Sequence, residues 1–200
     1  FLLKGDVMKH YRGNKSNDLK RREFMAILAG FTASLMVPGV FCGKEVSAST
    51  AASQSDRLGK RLPLRKLGNS GAVLTNLGVG GAHIGNVSER DAQAVIEKAL
   101  EEGVRFFDNA PFYSGGTSEE RYGKFLTPKY RDVSFIMTKT LATSGGSALR
   151  DLDGSLSRMK TDYVDLWQVH ALGSPSDAKS RVRNGVLDAF QEAQQNGKVK

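Results

Sequence analysis

The 200-residue chain suits a single domain by length, and its formal net charge of +8 is unevenly placed. Residues 1 to 48 hold eight lysines or arginines against four carboxylates, whereas the remainder holds 21 against 17. No basic cluster interleaved with aromatics follows that leader, which argues against a nucleic-acid partner, and the single cysteine, Cys42, argues against a disulfide framework or a metal-thiolate site.

Lys20-Arg21-Arg22-Glu23-Phe24-Met25 leads into a stretch that carries no charge from Phe24 to Cys42 apart from its flank, and the small residues Val46-Ser47-Ala48 suit signal-peptidase cleavage after Ala48. Residues 1 to 48 therefore read as a signal peptide, and paired arginines before an aromatic resemble the twin-arginine export signal. Gly30, Thr32, Ser34, Pro38 and Gly39 dilute the stretch as a membrane span. The expectation is export to the periplasm or another extracytoplasmic space, with the twin-arginine machinery as the leader's partner and no stable membrane insertion after cleavage. A leader that stays uncleaved and anchors the chain is the alternative.

Residues 49 to 61 are rich in Ser, Ala, Gln and charge without a period, the composition of a flexible linker. Apolar alternation over residues 62 to 67 and 72 to 77 flanks Gly68-Asn69-Ser70-Gly71 and predicts a β-hairpin. Beyond it, strand and helix patterns alternate. Ser88 with Asp91 forms a capping box before an apolar face of Ala92, Val95, Ile96, Ala99 and Leu100, and Gly103 closes that helix. Thr117 with Glu120 predicts the start of a second helix; Leu149, Leu152, Leu156 and Met159 mark a third, and Val186, Leu187, Phe190 and Ala193 a fourth.

This alternation predicts an α/β fold with a parallel sheet. Gly78-Val79-Gly80-Gly81-Ala82-His83 lacks the third glycine of a dinucleotide-binding G-x-G-x-x-G turn, which disfavours an open Rossmann sheet. Reactive residues at the ends of successive strands favour a (β/α)8 TIM barrel instead. A complete barrel takes about 250 residues; four strand-helix units make only about the first half. The start at Phe1 and the stop just after the Asn196-Gly197 cap lead us to read the chain as cut at both ends, and half a barrel alone is expected to be inactive.

Three apolar runs deliver four reactive groups to one rim. Arg105-Phe106-Phe107 runs into Asp108, with Tyr113 following; the run from Val133 to Thr138 ends on Lys139; the run from Tyr163 to Val169 ends on His170. Ligands of parallel sheets bind beyond the carboxyl ends of the strands. A lysine ammonium favours a tyrosine's phenolate, an aspartate holds the lysine charged, and a histidine can orient a substrate oxygen. Such a set suits proton donation to a carbonyl oxygen that gains charge as a hydride arrives. Singly, each residue has a plain structural reading; their joint order decides for a site. Neither a spaced carboxylate pair, nor a Ser/His/Asp elbow, nor a metal-ligand cluster competes with it.

The segments Gly103-Val104-Arg105-Phe106-Phe107-Asp108-Asn109-Ala110-Pro111-Phe112-Tyr113 and Ser155-Leu156-Ser157-Arg158-Met159-Lys160-Thr161-Asp162-Tyr163-Val164-Asp165-Leu166 resemble the two signature stretches of the aldo-keto reductase family. The resemblance spans residues 62 to 200. It implies a (β/α)8 barrel that binds NADPH without a Rossmann domain, NADH being the alternative, and reduces aldehyde or ketone carbonyls of small molecules. It also implies Tyr113 as general acid, Lys139 lowering its pKa, Asp108 paired to Lys139 and His170 orienting the carbonyl, with Gly81, Ala82 and Asp108 along the nicotinamide. Asn109 and Ser114 depart from the family's usual threonine and glycine. A cofactor-binding redox sensor or structural subunit on the same fold is the alternative to an enzyme. Nothing in the sequence sets the oligomeric state.

Overall fold

A computed structural model describes residues 54–200 of the protein. The expected signal peptide, its paired arginines, Cys42 and the first residues of the expected linker lie outside the described residues. Among the described residues no helix is long and apolar enough to cross a membrane.

Within the described part of the segment read as a linker, residues 49 to 61, β1 (Ser55–Asp56) and β2 (Gly59–Lys60) pair antiparallel. Ion pairs to distant residues hold it. The guanidinium of Arg105, only 4% exposed, donates to both carboxylate oxygens of Asp56 at 2.6 and 3.0 Å, and Arg57 pairs with Asp132 at 2.6 Å. Next, β3 (Leu64–Lys66) and β4 (Val73–Thr75) pair antiparallel, Leu64 opposite Thr75 and Lys66 opposite Val73.

The central sheet consists of β5 (Gly78–Gly80), β6 (Phe106–Asp108), β7 (Phe135–Thr140) and β8 (Leu166–Val169), all parallel and in chain order. Side chains alternate across a strand, so Phe107, Ile136 and Trp167 enter the core beneath the helices while Phe106, Phe135, Lys139 and Gln168 take the other face. The register sets Gly80, Asp108, Met137 and Leu166 in one row across the sheet. Val199 bridges parallel to Val164, next to the start of β8. Parallel strands in sequence order, each followed by helical structure, are consistent with part of a (β/α)8 barrel.

Helix α1 (Glu89–Glu101) starts as expected, the Ser88 hydroxyl oxygen accepting the Asp91 N–H at 3.1 Å, and buries Ala92, Ile96 and Leu100. Val95, expected on that face, is exposed. The second helix differs more. Gly116, left-handed at φ 96°, precedes α2 (Thr117–Arg121) and Thr117 makes no capping bond; a π turn over Tyr122–Leu126 then leads to α3 (Thr127–Tyr130). Gly123 lies in that π turn with its Cα against the Arg158 carbonyl, so any side chain there would collide with backbone. Helix α4 (Gly145–Met159) buries Leu152, Leu156 and Met159. Helix α5 (Pro175–Arg183) was not anticipated: it has little apolar face, although the Ser174 side chain caps it by accepting the Asp177 N–H. In α6 (Val186–Gln195), Val186, Ala189 and Ala193 are buried, whereas Leu187 is exposed instead of facing the core.

One fully buried carboxylate ties these layers together. Glu119 of α2 accepts the Thr138 hydroxyl of β7 at 2.6 Å and the Arg158 Nε–H of α4 at 2.8 Å. Breaking a buried pair from one side leaves the partner's charge uncompensated. Glu119→Ala is expected to destabilise the protein by about 3 kcal/mol, read as a lower midpoint in urea. Lys98→Ala, which removes exposed pairs with Glu101 and Glu102, should leave the midpoint where it was.

Candidate active site

Asp108 is the last residue of β6, Lys139 the fifth residue of β7, and His170 follows β8, its N–H extending the ladder to the Thr140 carbonyl at 2.8 Å. Tyr113 opens the turn Tyr113–Gly116 beyond β6. The structure brings these four residues together at the carboxyl ends of the parallel strands.

Lys139 sits at the centre. An ammonium has three donors and no acceptor, and here all three are engaged. Lys139 Nζ forms a short ion pair with Asp108 Oδ1, donates to the Asn109 carbonyl at 2.8 Å and donates to Tyr113 Oη at 3.2 Å. Its side chain is 11% exposed and that of Asp108 27%, so the charge is largely dry but neutralised. Asn109 is fully buried and its Oδ1 accepts the Ala110 N–H at 2.8 Å, which fixes the peptide beside Lys139. Because Tyr113 Oη accepts a hydrogen bond from Lys139, the phenol's own proton is directed away from the ammonium.

His170 meets Tyr113 edge to face, with ring centroids 5.9 Å apart and planes at 87°. Burial lowers the imidazole's pKa below its ordinary 6.5, the Lys139 charge lowers it further, and Asp108 opposes both. The ring is therefore neutral at pH 7. Nδ1 is buried without a protein partner. A ring proton on Nε2 leaves no N–H stranded at that buried position.

A second tyrosine escaped the sequence reading. Tyr122 is fully buried, packs edge-on against Phe107 and donates its hydroxyl to the Asp108 carbonyl at 3.1 Å. Burial pushes its phenol pKa far up, so it stays a hydrogen-bond donor that braces Asp108.

Gly81 and Ala82 lie on the 3-10 turn after β5. Gly81 is buried, its Cα against the Asp108 carbonyl and its own carbonyl accepting the Ser118 hydroxyl at 2.7 Å; Ala82 is exposed. His83 is exposed on the same turn, and Trp167 stacks on Phe190 at 4.2 Å in the core. At Gly80, in register with Asp108, a Cβ would meet nothing within 4 Å. The strand edge at Gly80 thus leaves open space beside Asp108, room that a flat nicotinamide ring would fit. Among the described residues no group of three or more His, Cys, Asp or Glu side chains is placed to hold a metal ion.

The chain is 30% identical over 152 residues to an L-galactose dehydrogenase of Arabidopsis thaliana, covering 70% of this chain and 47% of that protein. It is 30% identical over 139 residues to a probable voltage-gated potassium channel subunit beta of Oryza sativa subsp. japonica, covering 62% of this chain and 42% of that protein. A solved aldo-keto reductase of Bacillus halodurans, in its holo form, superposes with a TM-score of 0.62 at 28% identity, over 70% of this chain and 48% of that one. The chain spans about half the length of the curated relatives it matches. The aldo/keto reductase family model matches residues 76–200, and with that match the chain belongs to the aldo/keto reductase family.

Proposed function

We propose that the protein is an NAD(P)H-dependent oxidoreductase that reduces aldehyde or ketone carbonyls to alcohols, with NADPH the preferred donor. The observation that carries this reading is the Lys139 ammonium, held by Asp108 and Asn109 and donating to the Tyr113 oxygen. Family membership and the holo form of a solved relative support a nicotinamide cofactor beside Asp108, Gly81 and Ala82.

When bound, the nicotinamide supplies a hydride to the carbonyl carbon. The chain's residues then manage the charge that develops on the oxygen. His170 donates Nε2–H to that oxygen and orients it, while Tyr113 donates its free hydroxyl proton. As the phenol gives up that proton, negative charge grows on Tyr113 Oη, and the Lys139 N–H already directed there stabilises it. Asp108 keeps the ammonium aimed and neutralised, and solvent restores the phenol's proton after product leaves. The leader read over residues 1 to 48 would place this chemistry outside the cytoplasm, with cofactor carried across in the folded protein.

Likeness to a protein described as a channel subunit favours a second reading, a cofactor-binding sensor with very slow turnover. NADPH oxidation against an aldehyde panel separates the two. The enzyme reading expects wild-type turnover, a loss of about a hundredfold or more in kcat for Tyr113→Phe, and unchanged NADPH binding by that variant in fluorescence quenching. Binding without turnover on any carbonyl would favour the sensor.

The depressed imidazole also has a signature in pH. The unfolded chain takes up a proton at the ordinary value of 6.5 and the folded one only at lower pH, so between those two values the unfolded state binds more protons. Folding stability is then unaffected by His170 above pH 6.5 and declines as pH falls below it. His170→Gln should flatten this part of the urea midpoint against pH; a wild-type curve with the same slope as the variant would contradict the assignment.

A further inference from the structure

Among the described residues three non-glycine residues have positive φ: Ser114 at 54°, Lys160 at 50° and Ala171 at 55°. Lys160 caps α4. The other two directly follow Tyr113 and His170, the two rings that meet edge to face. An L-residue in the left-handed region crowds its Cβ against the following carbonyl, and such strain persists where surrounding structure over-determines it.

Ser114 opens a run of three left-handed residues with Gly115 and Gly116, which swings the chain from Tyr113 into α2. It alone in that run has a side chain, and its hydroxyl donates to Asn86 Oδ1 at 2.6 Å. Asn86 belongs to the loop between β5 and α1, where its own N–H donates to the His83 carbonyl at 3.0 Å. The two loops meet tightly: a Cβ added at Gly85 would stand 2.5 Å from both Ser114 Cβ and Oγ. Tyr113 itself is held by its N–H to the Ala110 carbonyl at 3.1 Å, by its carbonyl accepting the Thr117 N–H beyond the turn, by its ring against His170 and by its hydroxyl at Lys139, so the turn that Ser114 opens lies between two of its anchors.

We propose that Ser114 and Asn86 form a positioning clasp that holds the left-handed turn against the first-strand loop and thereby keeps the Tyr113 phenol at the Lys139 ammonium. Both residues act through Tyr113 and touch none of the reacting atoms. The effect on rate rests on the reductase reading, so a readout free of turnover accompanies it.

The test uses the full-length protein labelled with [ζ-13C]tyrosine. It has five tyrosines, and Tyr113→Phe identifies the Tyr113 resonance. Ser114→Ala and Asn86→Ala are each expected to shift or broaden that resonance alone and to lower kcat about tenfold, with the NADPH KM within about twofold of wild type. The double variant should be no worse than either single one. Asn86→Asp keeps an oxygen acceptor for the Ser114 hydroxyl and should restore both the resonance and kcat. If the resonance stays in place in both alanine variants, the clasp is overturned, including the case where only the melting temperature falls. A moved resonance with no wild-type turnover keeps the clasp and defeats the reductase reading.

Discussion

The Lys139 ammonium is the group on which the site depends. A cation this far from water carries a large desolvation cost unless each of its protons meets an acceptor. Those acceptors come from a strand carboxylate, a peptide carbonyl and a phenol, Asp108, Asn109 and Tyr113, all within six residues of one another and about 30 residues before Lys139. Charge satisfaction thus fixes the end of β6 against β7. The same bonds leave the Tyr113 proton as the free donor of the cluster, and the neutral His170 ring stands edge to face against that tyrosine. Asymmetry of donors and acceptors, more than proximity of reactive groups, gives the site its direction.

Buried ionic and hydrogen-bonded pairs keep the two strands where Lys139 needs them. At the start of β6, Arg105 binds Asp56 and the carbonyls of Leu100 and Val104. At the start of β7, Asp165 Oδ2 accepts the Ile136 N–H and the Arg131 guanidinium, both at 2.8 Å. Midway along β7, Glu119 accepts from Thr138 and joins it to Arg158. Each holds polar atoms to one geometry in a dry setting, where a misplaced partner is expensive. The apolar core around Phe107, Ile136, Leu152 and Trp167 supplies the burial that makes those bonds decisive.

Much of the architecture was legible because it rests on local pattern. Asp108, Lys139 and His170 each end an apolar run, and a parallel strand buried beneath helices delivers whatever ends it to the same edge of the sheet. Ser88 and Asp91 announced α1 through capping chemistry that needs no tertiary partner. What escaped depends on pairs distant in sequence. The segment from Ser55 to Lys60 has the composition of a linker and becomes ordered through Arg105 and Asp132, 49 and 75 residues away. Tyr122, Glu119, and the meeting of Ser114 with Asn86 likewise exist only after folding. Helix α5 was missed for another reason: its start signals, Ser174, Pro175 and Asp177, were present, but its small apolar face hid them. Leu187 and Val95 show the converse, apolar residues at helical spacing that the neighbouring layers leave exposed.

The central claim, a charged Lys139 held by three acceptors, is most directly tested by proton-detected NMR of the protein carrying 15Nζ-labelled lysine. The account predicts one ammonium resonance with slowed proton exchange, absent in Lys139→Met and losing its protection in Asp108→Asn, whose amide no longer neutralises the charge. A wild-type spectrum in which every lysine ammonium exchanges as freely as a surface one, or a protected resonance indifferent to Asp108→Asn, would contradict it.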